Sequence, residues 1–276
     1  MEISYITLDP TKNITLLVET PVRRQAQSAV AQLLLRSDPQ AEQVGFLEPA
    51  ALPGARRRLQ MMGGEFCGNA SMALAALLAH EDGLSPGQET VIPLEVSGKE
   101  GLLTCRVRAE ADCFRGTVDM PLPEKIEAVD VWTGAEMLSC PAVFFPGIVH
   151  AVVPVGAVDR ARAEEAVQLL CAALRAEAAG LLLFDEAALS FEPLVYVAAT
   201  HTAVWERGCG SGSAALGCYL AHRDKASRHV PLRQSGGIIE AEAVWAENRV
   251  AEVRITGQVR LGERRAMPLP HSAELG

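Results

Sequence analysis

Apolar residues alternate with polar ones along several short stretches of the chain and recur at helical spacing along four longer ones. Ile3 to Leu8, Ile14 to Val18, Leu102 to Val107, Val149 to Val155, Leu181 to Phe184, Leu194 to Val197 and Val250 to Ile255 predict strands. Arg24 to Leu35, Gly68 to His80, Ala161 to Ala178 and Gly210 to His222 predict helices. Strands and helices interleave along the chain, so an α/β (α+β) class is expected. Pro121, Pro123 and the polar pair Glu124-Lys125 interrupt the pattern near the middle and mark a junction. The stretch from Arg264, rich in Pro and Arg, shows little periodicity.

Two of the four helical stretches are near copies. Cys67-Gly-Asn-Ala-Ser-Met-Ala-Leu-Ala-Ala-Leu-Leu-Ala-His80 and Cys209-Gly-Ser-Gly-Ser-Ala-Ala-Leu-Gly-Cys-Tyr-Leu-Ala-His222 share eight of fourteen residues without a gap, 142 positions apart in a chain of 276. The likeness extends outward. Gly45-Phe-Leu-Glu48 stands opposite Leu183-Phe-Asp-Glu186, Ser97-Gly98 opposite Ser235-Gly236, and Asn13 to Val18 opposite His150 to Val155, at offsets of 137 to 138. A separation near half the chain points to a duplicated domain rather than a short-period solenoid. The expected halves are residues 1–122 and 123–263; the tail 264–276 either packs on the first half or stands apart.

Composition narrows the function classes. Hydrophobic residues make up 49% of the chain, yet no uninterrupted run approaches the ~18 needed to span a bilayer, and the Met-Glu-Ile-Ser-Tyr start has no basic, apolar leader pattern. The expectation is a cytoplasmic protein without a membrane partner. A formal charge of −9 disfavours a nucleic-acid partner, which would call for a basic stripe; Arg56-Arg-Arg58 reads as a solvated loop. The seven cysteines show no Cys-x-x-Cys or His-x-x-x-His spacing, so no metal is expected, and Cys105, Cys113, Cys140, Cys171 and Cys218 read as buried small hydrophobes.

Cys67 and Cys209 differ from those five because each directly precedes a predicted helix. Unpaired backbone N–H groups and the helix dipole favour negative charge there, so a lowered thiol pKa is expected. The N–H groups of Gly68, Asn69, Gly210 and Ser211 are candidates to cradle an anion such as a carboxylate. A tight turn into a buried helix, or a disulfide between the two thiols, are the alternatives. A pair of opposed thiols suits inversion of a carbon centre, one taking a proton from one face while the other donates to the opposite face. The negative charge that develops then needs aimed donors in a dry site. The four lysines lie in loop-like or charged contexts, so no cofactor is expected to act as electron sink.

The Cys67-Gly-Asn-Ala70 and Cys209-Gly-Ser-Gly212 segments resemble the two catalytic-cysteine motifs of the diaminopimelate epimerase superfamily. Glu42-Gln-Val-Gly-Phe-Leu-Glu48, Gly64-Glu-Phe66, Leu183-Phe-Asp-Glu186, Pro193-Leu-Val-Tyr196 and Trp205-Glu-Arg-Gly208 make the chain more similar to the histidine racemase branch of opine-type metallophore biosynthesis. The resemblance implies two pseudo-symmetric α/β halves with the active site in the cleft between them, a pyridoxal-independent isomerase and a homodimer. It assigns Cys67 and Cys209 as acid/base thiols and His150 and Glu206 as side chains that tune them. It also implies that Asn13, Gln43, Gly68, Asn69, Gly210 and Ser211 hold a small amino-acid substrate. Two departures from the epimerase pattern weaken the distal contacts that diaminopimelate needs: Ile148-Val149-His150 replaces Asn-Pro-His, and Glu206-Arg-Gly leads directly into Cys209. Phe46, Phe184 and Asp185 are candidates for an imidazole pocket. Diaminopimelate epimerase is the competing enzyme reading, and a non-catalytic amino-acid-binding or thiol redox protein the competing reading from another class.

Overall fold

A computed structural model describes residues 2–268. Contacts divide the chain into two units, one holding the residues up to Asp119 together with those from Thr256 onward, the other Met120–Ile255. The first unit comprises β1 (Glu2–Pro10), β2 (Thr15–Val18), α1 (Arg24–Ser37), β3 (Gln43–Glu48), β4 (Arg58–Met61), α2 (Gly68–Glu81), β5 (Glu89–Val96), β6 (Leu103–Ala109) and β7 (Phe114–Asp119). The second comprises β8 (Lys125–Trp132), β9 (Met137–Phe145), β10 (Ile148–Pro154), α3 (Arg160–Leu174), β11 (Ala178–Asp185), β12 (Ser190–Val197), β13 (Thr202–Trp205), α4 (Gly210–Asp224), β14 (Arg228–Gln234) and β15 (Gly237–Ala246). The last strand, β16 (Arg249–Pro268), begins in the second unit and finishes in the first.

Within the first unit β1 and β2 are antiparallel, β2 and β3 parallel across α1, β3 and β4 antiparallel, and β4 and β5 parallel across α2, with β6 and β7 following antiparallel. The second unit repeats that succession: β9 and β10 antiparallel, β10 and β11 parallel across α3, β11 and β12 antiparallel, and β12 and β14 parallel across α4. Parallel neighbours require a crossover, and a helix supplies it each time. The duplication read from the cysteine segments is thus a duplication of strand order, with β13, an extra strand on β12, as the second unit's insertion.

The two helices of each unit have different burdens. In α2 every residue from Gly68 to Ala79 is buried, as expected for a helix apolar on all sides. It packs on β1, β2, β5, β6 and β7. In α1 only Ala26, Gln27, Val30, Ala31 and Leu34 are buried, a single face laid on β3. The same contrast separates α4, buried from Ser213 to Cys218, from α3, whose buried positions are Ala163, Ala166, Val167, Leu170 and Cys171. Each unit therefore wraps one apolar helix whose start carries a cysteine.

Three expectations change. The helix expected over Ala161 to Ala178 stops at Leu174, because Arg175 turns left-handed (φ 51°) and its N–H closes onto Ala172 and Cys171 carbonyls; residues from Ala178 are already β11. The strand expected to end at Ile255 runs on to Pro268. Residues 264–268, part of the aperiodic tail, pair antiparallel with Glu2 to Ile6, and Arg264 is fixed by Glu19 and Glu81. The limit expected at 263 falls inside this strand, and residues 269–276 lie outside the described part. Cys105, Cys113, Cys140, Cys171 and Cys218 are buried, and burial pushes the Cys105 and Cys218 thiols up to about 12. Among the described residues no helix is long and apolar enough to cross a membrane, and no group of three or more His, Cys, Asp or Glu side chains could hold a metal ion.

Candidate active site

Both cysteines occupy the N-cap of their helix. Cys67 (φ −132°, ψ 110°) and Cys209 (φ −88°, ψ 109°) are extended, and each sulfur accepts from the backbone N–H three residues on, Ala70 at 3.4 Å and Gly212 at 3.2 Å. Ser, Thr, Asp and Asn are the usual N-caps and sulfur is a weak acceptor, so capping strength does not explain cysteine here. The serine four residues on bonds back to the cysteine carbonyl in both copies, Ser71 at 2.7 Å and Ser213 at 2.8 Å. Gly68-Asn69 and Gly210-Ser211 form the first turns, whose N–H groups precede the first intrahelical bond.

In the first unit a chain of amides leads to Cys67. Parallel pairing of β2 with β3 sets Thr15 opposite Gln43, and Asn13 occupies the turn just before β2. Asn13 donates to Glu42 Oε2 at 2.6 Å; its Oδ1 accepts from Gln43 Nε2 at 2.7 Å and from Asn69 Nδ2 at 3.0 Å. Gln43 Nε2 also donates to Thr15 Oγ1 at 2.8 Å, and Gln43 Oε1 receives the Cys67 thiol at 3.1 Å. Asn13 and Asn69 are buried, while Cys67 is half-buried. The segment before the cysteine is locked as well: Ser97 Oγ accepts from Met61 N–H at 3.0 Å and donates to the Glu65 carbonyl at 2.7 Å.

The second unit surrounds Cys209 differently. Here the sulfur is 1% exposed and lies 3.5 Å from Ser211 Oγ, which sits 3.0 Å from His150 Nε2. His150 is fully buried on β10, and burial lowers its pKa to about 4, so the ring is neutral. With its proton on Nε2 the ring donates to Ser211, whose hydroxyl is then free to donate to sulfur; His150 Nδ1 has no partner among the described residues. Gly180 faces His150 across the parallel pair β10–β11, and a Cβ at Gly180 would meet Nδ1 at 2.2 Å, so glycine is required for the ring to fit. Gln234 Oε1 accepts from Cys209 N–H at 2.6 Å, Gln234 Nε2 donates to Ser213 Oγ at 3.1 Å, and Ser213 returns to the Cys209 carbonyl.

The helix start does not lower the Cys209 pKa as expected. Burial raises it well above the ordinary thiol value, and the charge of Glu206 and a hydrogen bond from the thiol to Glu206 raise it further, against smaller lowering contributions from Ser211 and the Gly212 N–H. Removal from water outweighs one helix dipole. Glu206, the acceptor of that hydrogen bond, therefore favours the protonated thiol rather than spreading a thiolate's charge.

Of the residues singled out from sequence, Asn13, Gln43, Cys67, Gly68 and Asn69 come together in the first unit and His150, Glu206, Cys209, Gly210 and Ser211 in the second. Phe46 and Phe184 are core residues, 1% and 6% exposed, and neither is among the residues lining the cavity that Asp185 borders. That cavity, of about 560 Å³ in the second unit, is shared with Phe191, Trp205, Glu206, Arg207 and Gln234. Glu42, Thr15 and Gln234 were missed. The repeated Ser-Gly pair was the available signal for Gln234, since Gly236 N–H bonds the Arg207 carbonyl at 2.7 Å much as Ser97 holds Glu65, and Gln234 lies two residues before that glycine.

Comparison with known proteins follows the same outline. The family described as Histidine racemase CntK N-terminal domain matches residues 2–264. A histidine racemase of Fusobacterium nucleatum subsp. nucleatum is 30% identical over 271 residues, covering 95% of this chain and 97% of that protein. A histidine racemase of Staphylococcus aureus is 29% identical over 267 residues, covering 93% and 94%. Among solved structures, a hydroxyproline epimerase from Agrobacterium vitis superposes with a TM-score of 0.71 at 14% identity, covering 99% of this chain and 93% of the other. A phenazine biosynthesis protein of the PhzF family from Bacillus anthracis gives 0.68 at 12%, covering 98% and 100%. These structural likenesses establish a shared fold.

Proposed function

Because the chain belongs to the histidine racemase family that matches its residues 2–264, we propose that it interconverts L- and D-histidine by passing the α-proton between Cys67 and Cys209. The chain is an isomerase of the amino-acid racemase class. The observation that carries the reading is the paired N-cap cysteine, each sulfur held by a helix N–H and each backed by its own polar network.

The chemistry follows from those networks. Glu206 accepts the Cys209 proton, and Ser211 and the Gly212 N–H support the thiolate left behind. That thiolate removes the α-proton from one face of the substrate. The Cys67 thiol delivers its proton to the other face, and the reverse reaction exchanges the roles. The mechanism requires both sulfurs to reach one α-carbon. First-turn N–H groups at Gly68-Asn69 and Gly210-Ser211 hold the substrate carboxylate as negative charge builds on it, which is the costly step for a free amino acid. The reading needs no pyridoxal phosphate or metal. The family resemblance supports a place in opine-type metallophore biosynthesis, a cytoplasmic location and a homodimer.

Incubation with single L-amino acids and chiral chromatography tests the substrate. L-Histidine is expected to approach an equal mixture of enantiomers, since enantiomers have equal free energy in water. Diaminopimelate and L-proline should turn over more slowly by roughly tenfold or more, the scale on which pocket contacts discriminate side chains. Faster turnover of diaminopimelate than of histidine would sink the histidine assignment.

A further inference from the structure

The two thiols do not meet equivalent partners. Each sulfur receives one helix N–H, Ala70 at 3.4 Å for Cys67 and Gly212 at 3.2 Å for Cys209. Cys209 has the Ser211 hydroxyl and the accepting Glu206 besides, whereas Cys67 faces an amide oxygen, Gln43 Oε1 at 3.1 Å. The orientation of that amide decides what the sulfur must be, and it is determined by groups farther along the chain.

A carboxylate is acceptor-only. Glu42 Oε2 lies 2.6 Å from the Asn13 side-chain amide, so Asn13 must turn its NH2 toward Glu42 and its oxygen inward. That oxygen must then receive donors, and it receives two, from Gln43 Nε2 and Asn69 Nδ2. Thr15 adds a second constraint: its hydroxyl donates to the Asn13 carbonyl at 3.1 Å, leaving its oxygen to accept from Gln43 Nε2. With both donors of Gln43 directed at Asn13 and Thr15, only Oε1 is left to face Cys67. An amide oxygen 3.1 Å from sulfur is satisfied by S–H and repelled by a thiolate.

We infer that Glu42, acting through Asn13 and Gln43, holds Cys67 as a thiol in the substrate-free enzyme and so sets it as the resting proton donor. This rests on the reading of Cys67 as an acid/base group, and adds to it a direction. When Cys67 gives up its proton in turnover, the thiolate is left against an acceptor. The network therefore favours reprotonation of Cys67 before the next cycle. Glu42, Asn13 and Gln43 are positioning residues in this account, since they act on the proton through hydrogen bonds. To ionise Cys67 the amides must turn over together, which drives the Asn13 oxygen against the Glu42 carboxylate.

Removing Glu42 releases that constraint. The test is the rate at which iodoacetamide alkylates Cys67 at pH 7 without substrate, read by peptide mass mapping. Glu42→Ala is expected to raise the rate by about tenfold, the change in thiolate fraction that accompanies reversal of one hydrogen-bond partner. Glu42→Lys, which replaces an acceptor by a donor, should raise it further and stands in if Glu42→Ala fails to fold. Loss of a nearby negative charge would also favour a thiolate, so both substitutions are repeated in a Gln43→Leu background, where the amide path is cut. The relay predicts that the increase there falls to the smaller part that charge alone supplies. An equal increase in both backgrounds would reduce the effect to bare charge and overturn the inference, as would no increase in either. Alkylation is read without substrate, so this outcome is independent of which amino acid the enzyme turns over.

Discussion

Replacing Cys209 with serine is expected to lower histidine racemisation by about 10²–10⁴-fold, the contribution of one positioned acid/base group. The backbone N–H and carbonyl of residue 209 keep their bonds to Gln234 at 2.6 Å and Ser213 at 2.8 Å whatever the side chain, and the serine hydroxyl can accept from the Gly212 N–H in place of sulfur, so the fold should be retained. A hydroxyl is a far weaker acid than a thiol, however, and Glu206 cannot deprotonate it at neutral pH to a useful extent. Cys67→Ser should show a loss of the same order, because the proton donor on the other face is then missing. The measurement is the initial rate of D-histidine formation by chiral chromatography, with thermal unfolding as the control for folding. Near-normal activity in either variant would remove that thiol from the chemistry.

Gly98→Ala is expected to destabilise the protein by about 2–4 kcal/mol, combining left-handed backbone strain with overpacking, and to cut activity with it. Gly98 has φ 70°, and a Cβ there would stand 2.2 Å from Phe66 N, 2.6 Å from the Glu65 carbonyl carbon and 2.9 Å from Phe66 Cα. All three atoms are backbone, so no side chain can swing aside. Relief requires the turn between β5 and β6 to lift off residues 65 and 66, which breaks the Ser97 bond to Glu65 and frees the segment leading into Cys67. Gly101 is the control: φ is 73° but a Cβ meets nothing within 4 Å. Gly101→Ala should cost only the strain, about 1–2 kcal/mol, and leave activity unchanged. Denaturant unfolding and racemisation rates of the two variants separate the contributions.

How much of this was legible before folding depends on the range of the interaction. The cysteine helices were legible because their signal is local: an apolar run on all sides of a helix, opened by the same Cys-Gly pair, and the strand order around them repeats as the duplication requires. Strand β15 was not, although its buried residues Ile239, Ala241 and Ala243 alternate perfectly. Its Ala and Glu residues favour helix locally. Alanine is needed there because α4 comes close: a Cβ on Gly217 would meet that of Ala241 at 3.0 Å. Strand β14 hid behind Arg228, His229 and Arg233, polar residues of a strand only partly covered, and behind Pro231, which lacks the N–H of a ladder residue. Tertiary contact overrides propensity in both cases.

The site shows the same division. Cys67 and Cys209 stood out in the sequence by their place directly ahead of a helix, and Asn13, Gln43 and His150 through the family resemblance, but the side chains that hold them did not. Gln234 reaches Cys209 across 25 positions, and Glu42 matters only because β2 and β3 bring it to Asn13. Local reasoning also erred on the Cys209 thiol. The helix start is visible in sequence, while the burial that outweighs it belongs to the packed unit.

The central claim, that two thiols act on opposite faces of one carbon, is tested most directly by racemisation of unlabelled L-histidine in deuterated water, stopped at low conversion. The account predicts that D-histidine carries solvent deuterium at the α-carbon while the recovered L-histidine remains protiated, because the group that removes one proton is not the group that supplies the other. Deuterium appearing in recovered L-histidine as fast as in D-histidine, or protium carried from substrate into product, would mean a single base serving both faces and would contradict it.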